Sequence, residues 1–164
     1  MALRTILTLP DPRLREVSSP VATFDDALNG LIRDLSETLR STSGIGLSAP
    51  QIGELQRVIV LDLSERRAPP KVLINPEILH TSARGWVEES CLSIPGISGN
   101  VIRATRLRVR AQNPSGEWVE EDVEGMEAVC VQHELDHLDG RLFIDRLAWP
   151  RRLWLRLIRG IETR

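Results

Sequence analysis

An α+β fold is expected for this chain: mainly antiparallel sheet around a helix near the C-terminal end, with a helix near the N-terminus and a short one at the end. Three observations predict it. Leu28, Leu31, Ile32, Leu35 and Leu39 recur at helical spacing, strand-like runs follow with no helical pattern between them, and a second helical stripe then leads up to Gly140. Strands joined by turns rather than by crossover helices pair antiparallel, and helices grouped before and after them complete an α+β domain.

Taken in order, Thr23 with Asp26 reads as a capping pair opening the first helix. Residues 44–51, with two glycines and a proline, read as a loop between that helix and a strand. Residues 57–63 form a buried strand, and residues 71–74 another that ends at Asn75-Pro76. Residues 107–112 and 118–123 flank Asn113-Pro114-Ser115-Gly116 and make a hairpin, in which Arg106, Arg108 and Arg110 face an acidic partner strand. Residues 126–139 form the second helix, with Gly140 as its left-handed stop. Ala128, Val131, Leu135 and Leu138 turn toward a core, while Met126, Val129, Cys130, His133 and His137 share a second, more polar face. Trp149-Pro150 opens a terminal helix whose Leu153, Trp154, Leu157 and Ile158 form a stripe among Arg151, Arg152, Arg156 and Arg159. The simplest expectation docks that stripe on the core and leaves the arginines in water.

Length and composition set the outer limits. At 164 residues the chain suits one domain, 1–164, with one core, and 41% hydrophobic content excludes a disordered polymer. A net charge of −2 argues against nucleic-acid binding by bulk charge, so DNA is not an expected partner. Neither a signal-peptide pattern nor a membrane-length apolar run is present, and the two cysteines fall in separate motifs, so the expectation is a cytoplasmic protein without disulfide or membrane association.

The chemistry is carried by His133-Glu134-Leu135-Asp136-His137. Two imidazoles four apart on a helix project from one face and can bind one metal, with Glu134 beside them as a base. The peptidase pattern with a third histidine six residues beyond the second fails, because Phe143 stands there, and only Glu162 remains as a downstream glutamate. An upstream ligand is therefore expected. His80 lies in a polar stretch and reads as a surface residue, so Cys91 is the better candidate, with a small buried thiol as the alternative reading. Cys130 reads as such a buried thiol.

Three ordered stretches, Gly44-Ile45-Gly46-Leu47-Ser48-Ala49-Pro50-Gln51, Glu89-Ser90-Cys91-Leu92-Ser93 and Gln132-His133-Glu134-Leu135-Asp136-His137-Leu138-Asp139-Gly140, resemble the motifs of the peptide deformylases. The similarity extends to Pro10-Asp11-Pro12-Arg13-Leu14-Arg15 and Leu73-Ile74-Asn75-Pro76-Glu77, and so spans nearly the whole chain. Two departures stand out: Ser90 where many members have glycine, and Ser98 where many have arginine.

The resemblance implies a metal-dependent hydrolase that removes the formyl group from the N-terminal formyl-methionine of nascent polypeptides. Cys91, His133 and His137 would hold one divalent ion, ferrous iron in the family, with nickel, cobalt or zinc able to substitute. Glu134 would be the general acid–base, and the Gln51 amide and Leu92 N–H the oxyanion donors. Ile45, Val87, Met126, Val129 and Cys130 are candidates for the methionine pocket, and the Gly46 backbone for hydrogen bonds to an extended peptide. The terminal arginines suggest contact with the ribosome. Another metal-dependent amidase or peptidase, or a non-catalytic metal-stabilised module, would be the alternatives.

Overall fold

Five strands follow one another in chain order across a single antiparallel sheet: β1 (Gly46–Ser48), β2 (Val58–Leu61), β3 (Lys71–Cys91), β4 (Ile94–Gln112) and β5 (Trp118–Glu124). The helices are α1 (Asp26–Arg40), α2 (Gly125–Leu138) and α3 (Trp149–Arg159), in a computed structural model that describes residues 3–64 and 68–163. The α+β class is as expected.

Helix α1 starts two residues later than a Thr23 cap paired with Asp26 would place it. Asp25 is the N-cap, extended at φ −125°, and its carboxylate accepts from the Leu28 N–H at 3.0 Å. The stripe is as expected: Leu28, Leu31, Leu35 and Leu39 are buried against β1 and β2 residues such as Leu47, Val58 and Val60, with Ile32 partly buried beside them.

Asn75-Pro76 does not end a strand. Asn75 sits at φ 50°, its side chain bonds both backbone groups of Val21 and Gln112 Oε1, and the strand passes through a register shift and continues to Cys91. From Glu77 to Cys91, β3 pairs only with β4, forming a long hairpin that reaches the site. The β4–β5 hairpin matches expectation: Arg106 lies opposite Glu124, Arg108 opposite Asp122 and Arg110 opposite Glu120.

Helix α2 is stopped as expected, with Gly140 at φ 66°. A Cβ there would stand 2.5 Å from the Arg15 carbonyl oxygen, so both the conformation and the close approach require glycine. Its Ala128, Val131, Leu135 and Leu138 are buried with Ile59, Leu73, Leu107 and Val109 of the sheet. That packing fixes the rotation of the helix and hence where its polar face points.

Helix α3 is docked the other way round from the simplest expectation. Leu155 alone is fully buried, while Trp149, Leu153, Trp154, Leu157 and Ile158 are exposed, Leu157 by 70%. At about 100° per residue these five occupy one half of the helix. Leu155 packs with Leu142, Phe143 and Ile144, and Arg152 donates to the Asp145 carbonyl, so the protein-facing half is the arginine-bearing one. Among the described residues no helix is long and apolar enough to cross a membrane.

Candidate active site

Position by position, the fold gathers the predicted residues onto three elements. The turn of β3 into β4 carries Cys91, α2 carries His133, Glu134 and His137, and the segment around β1 carries Gly46 and Gln51. One donor atom each from Cys91, His133 and His137 lies within 4.8 Å of the others, and all three residues are buried. Cys91 Sγ stands 3.2 Å from His137 Nε2, and the two imidazoles meet edge to face at 5.1 Å. His80 is exposed, pairs with Arg108 across the sheet and is not part of this group. Phe143 stacks on His133 at 6.2 Å, packing the ring rather than offering a ligand. Neither cysteine is in a disulfide.

The donor set fits a divalent first-row ion. A thiol sulfur and two imidazoles form a soft-to-borderline set, and the His137 Nδ1 and Glu134 Oε2 atoms are buried with no hydrogen-bond partner. Burial holds the His137 pKa well below the ordinary value, aided by the charges of His133, Arg103 and Arg15, which keeps the ring in the neutral form that metals bind.

His133 is oriented from behind. Its Nδ1 lies 2.8 Å from Glu89 Oε2, and Glu89 in turn accepts from Arg103 Nε at 2.5 Å and Nη2 at 2.9 Å. Arg103, only 2% exposed, gives its remaining Nη1 to Asp136 at 2.7 Å, and Arg146 closes the group onto the same carboxylate. Burial would raise the Glu89 pKa, but Arg103 and His133 outweigh it and bring it down to about 2. Desolvation likewise opposes protonation of His133, and the contacts with Cys91 and Glu89 more than reverse it. Sequence reading missed Glu89 and Arg103 as partners of the site, because they are separated by a hairpin whose register only the fold supplies.

Glu134 is 2% exposed, and burial raises its pKa against the opposing influence of His133 and Ser48. Gly46 sits directly on it: a Cβ there would lie 2.6 Å from both Glu134 Oε1 and Cys130 Sγ. Gln51 is locked by its oxygen, which accepts from the Ser48 N–H and Oγ at 2.9 Å each. Its amide NH2 is thereby aimed at Ser93 Oγ, 3.2 Å away, and Cys91 Sγ, 3.7 Å away.

These groups surround a cavity of about 440 Å³. Ile45, Gly46, Gln51, Cys91, Leu92, Met126, Val129, Cys130, His133 and Glu134 line it. Val87 does not, and His137 stands behind the lining at 1% exposure. Pro95 and Ile97, not anticipated, close the side formed by β4. Burial pushes the Cys130 thiol pKa well up, so it stays an apolar wall. Ser90 pairs with Ser98 in ordinary extended backbone, since only Asn75 and Ala83 among described non-glycine residues have positive φ.

The polypeptide deformylase family model matches residues 3–152. A peptide deformylase of Alkalilimnicola ehrlichii is 52% identical over 157 residues, covering 95% of this chain and 88% of that protein. One from Pseudomonas aeruginosa is 46% identical over 153 residues, 93% of this chain and 91% of that one. The crystal structure of a peptide deformylase from Legionella pneumophila superposes with a TM-score of 0.90 at 42% identity, covering 94% of this chain and 92% of that one. Motifs, fold and relatives agree over nearly the full length, and the chain belongs to the polypeptide deformylase family.

Proposed function

We propose that the protein hydrolyses the formyl amide at the N-terminus of newly made formyl-methionyl chains, with Cys91, His133 and His137 holding one divalent metal. The observation that carries this reading is the convergence of three buried donors within 4.8 Å beside Glu134, in a chain of this family. A divalent ion bound there supplies Lewis acidity, bringing the pKa of water from its bulk value toward neutrality. Ferrous iron is the proposed ion, with nickel, cobalt or zinc as substitutes.

Glu134 takes the proton of the attacking water and returns it to the departing amine, roles suited to a buried carboxylate of raised pKa. The new C–O bond forms at the formyl carbon, the C–N bond breaks, and the products are formate and a free methionyl amine. Negative charge developing on the formyl oxygen is met by the Gln51 amide and the Leu92 N–H, each worth about 2.7–4 kcal/mol in comparable sites. Met126, Val129, Cys130 and Ile45 receive the methionine side chain. The Gly46 backbone bonds the extended peptide. The sheet and α1 serve as the scaffold around α2 for a single catalytic domain that works in the cytoplasm.

The test is release of formate from a formyl-Met-Ala-Ser peptide by protein purified without oxygen, with metal content measured on the same sample. Turnover of that peptide and none of an acetylated or internal peptide is expected. Cleavage of internal bonds would favour a peptidase, and metal binding without turnover a non-catalytic module.

A second element of this reading concerns α3, which combines four arginines with an outward apolar face. We place the ribosome near its nascent-chain exit as the partner, since phosphate attracts arginine and the substrates emerge there. Charge reversal at the exposed Arg156 and Arg159, leaving Arg152 on the Asp145 carbonyl, should weaken co-sedimentation with ribosomes while leaving turnover of a short peptide intact.

A further inference from the structure

Four consecutive residues of β3, Glu88 to Cys91, line the cavity, which a strand can do only by presenting its backbone edge. That edge is open, because this part of β3 pairs only with β4, and Ser43 to Gly46 stand across the gap. Side chains of β3 alternate about it. Glu89 turns to α2, where it meets His133, and Glu88 turns to the outer face of the hairpin.

Glu88 is exposed there, and its surroundings are neutral. Its direct partner on β4 is Asn100, and its Oε1 accepts from the Ser98 hydroxyl at 2.9 Å. Arg84, on the same face four residues back, makes no ion pair with it among the described residues. The other two cavity carboxylates are committed inward, Glu89 to Arg103 and Glu134 to the reaction, and among the described residues no lysine or arginine lines the cavity. Among the described residues Glu88 is thus the cavity carboxylate that makes no ion pair.

We infer that Glu88 makes the enzyme favour formyl-methionyl chains whose second residue is basic; this rests on the deformylase reading above. A peptide added along the open edge alternates as β3 does, with about 3.3 Å per residue. When the methionine side chain enters the wall made by α2, the second side chain must point to the outer face, beside Glu88. Side chains directly opposite on neighbouring strands have Cβ atoms about 4.5–5.5 Å apart, and diagonal ones about 7–8 Å, both within reach of lysine or arginine.

The experiment compares kcat/KM for formyl-Met-Lys-Ser, formyl-Met-Glu-Ser and formyl-Met-Ala-Ser amides at low salt. The lysine peptide should exceed the glutamate peptide by about threefold to tenfold, with alanine between, as expected for one exposed charge acting attractively on one and repulsively on the other. High salt should shrink the ratio. Glu88→Gln should bring it close to one, and Ser98→Arg, which sets a guanidinium beside Glu88, should do the same or reverse it. With lysine or glutamate moved to the third position, which faces the other side, Glu88→Gln should not change their ratio. Equal rates for the wild type, or a preference that survives Glu88→Gln, would overturn the inference while the deformylase reading stands. If none of the three peptides is deformylated, both fall together.

Discussion

Glu89 Oε2 lies 2.8 Å from His133 Nδ1, leaving Nε2 of that ring as the nitrogen free to turn toward Cys91 and His137. A carboxylate in this position fixes the ring's tautomer and raises its basicity as a ligand. Arg103, spread between Glu89 and Asp136, holds the carboxylate in turn.

Glu89→Gln should therefore weaken metal binding by about 10–100-fold, the usual cost of losing such a partner. Chelator competition on the metal-loaded protein measures it. Unchanged affinity would leave the Glu89 contact as packing alone.

Glu134→Gln keeps the shape of the side chain and removes its basicity. Metal content should stay at the wild-type level, and kcat on a formyl-Met peptide should fall at least about 10²-fold. Activity within a few-fold of wild type would take Glu134 out of the proton transfer.

Gly46→Ala places a methyl group where Glu134 Oε1 and Cys130 Sγ already stand, 2.6 Å from each. The shift it forces falls on Glu134, the proposed base, so kcat should drop by about 10²-fold, the scale for a misplacement of about 1 Å. Thermal stability measured alongside should change much less than activity. A loss of stability with kcat preserved would contradict this.

Metal identity predicts sensitivity to air. Ferrous protein should lose activity on exposure to oxygen and regain part of it with nickel or cobalt, because a thiolate released from its ion is open to oxidation. Mass spectrometry should then find added oxygen at Cys91 rather than at Cys130, whose thiol burial keeps protonated. Stable activity in air over days with iron bound would count against it.

Lys71 joins three elements, with Nζ 2.6 Å from Glu121 of β5 and 2.5 Å from Glu127 of α2. Burial lowers its pKa, but the two glutamates outweigh that and raise it above 10.5. A raised folded-state value means the stabilisation is complete below 10.5 and is lost as pH climbs through the raised value. Lys71→Met should lower Tm by about 2–4 °C near neutral pH, and the gap should close in strongly alkaline buffer. Melting curves for both proteins across that range decide it.

Periodicity read α1 and α2 well because each packs one stripe on the sheet: Leu35 and Leu138 are fully buried, as their spacing required. It did not read the long β3–β4 hairpin, where residues 77–84 are exposed on both faces and leave no alternation to detect. Asn75-Pro76 looked like a stop because proline removes a donor, yet Asn75 supplied side-chain bonds that carry the strand through. The metal donors were legible as motifs, since helix geometry alone brings His133 and His137 together. Glu89 and Arg103 were not, because what joins them is cross-strand register.

The outward apolar face of α3 also bears on how copies of the protein behave toward one another. Arg151 and Arg156 are exposed at its two flanks with no acidic residue between Trp149 and Arg159, so two such faces approaching in dilute buffer repel before their tryptophans can touch. Added salt removes that repulsion while strengthening the attraction of oily surfaces. Added salt is therefore the condition that brings these faces together, and dilute buffer the one under which the chain stays dispersed.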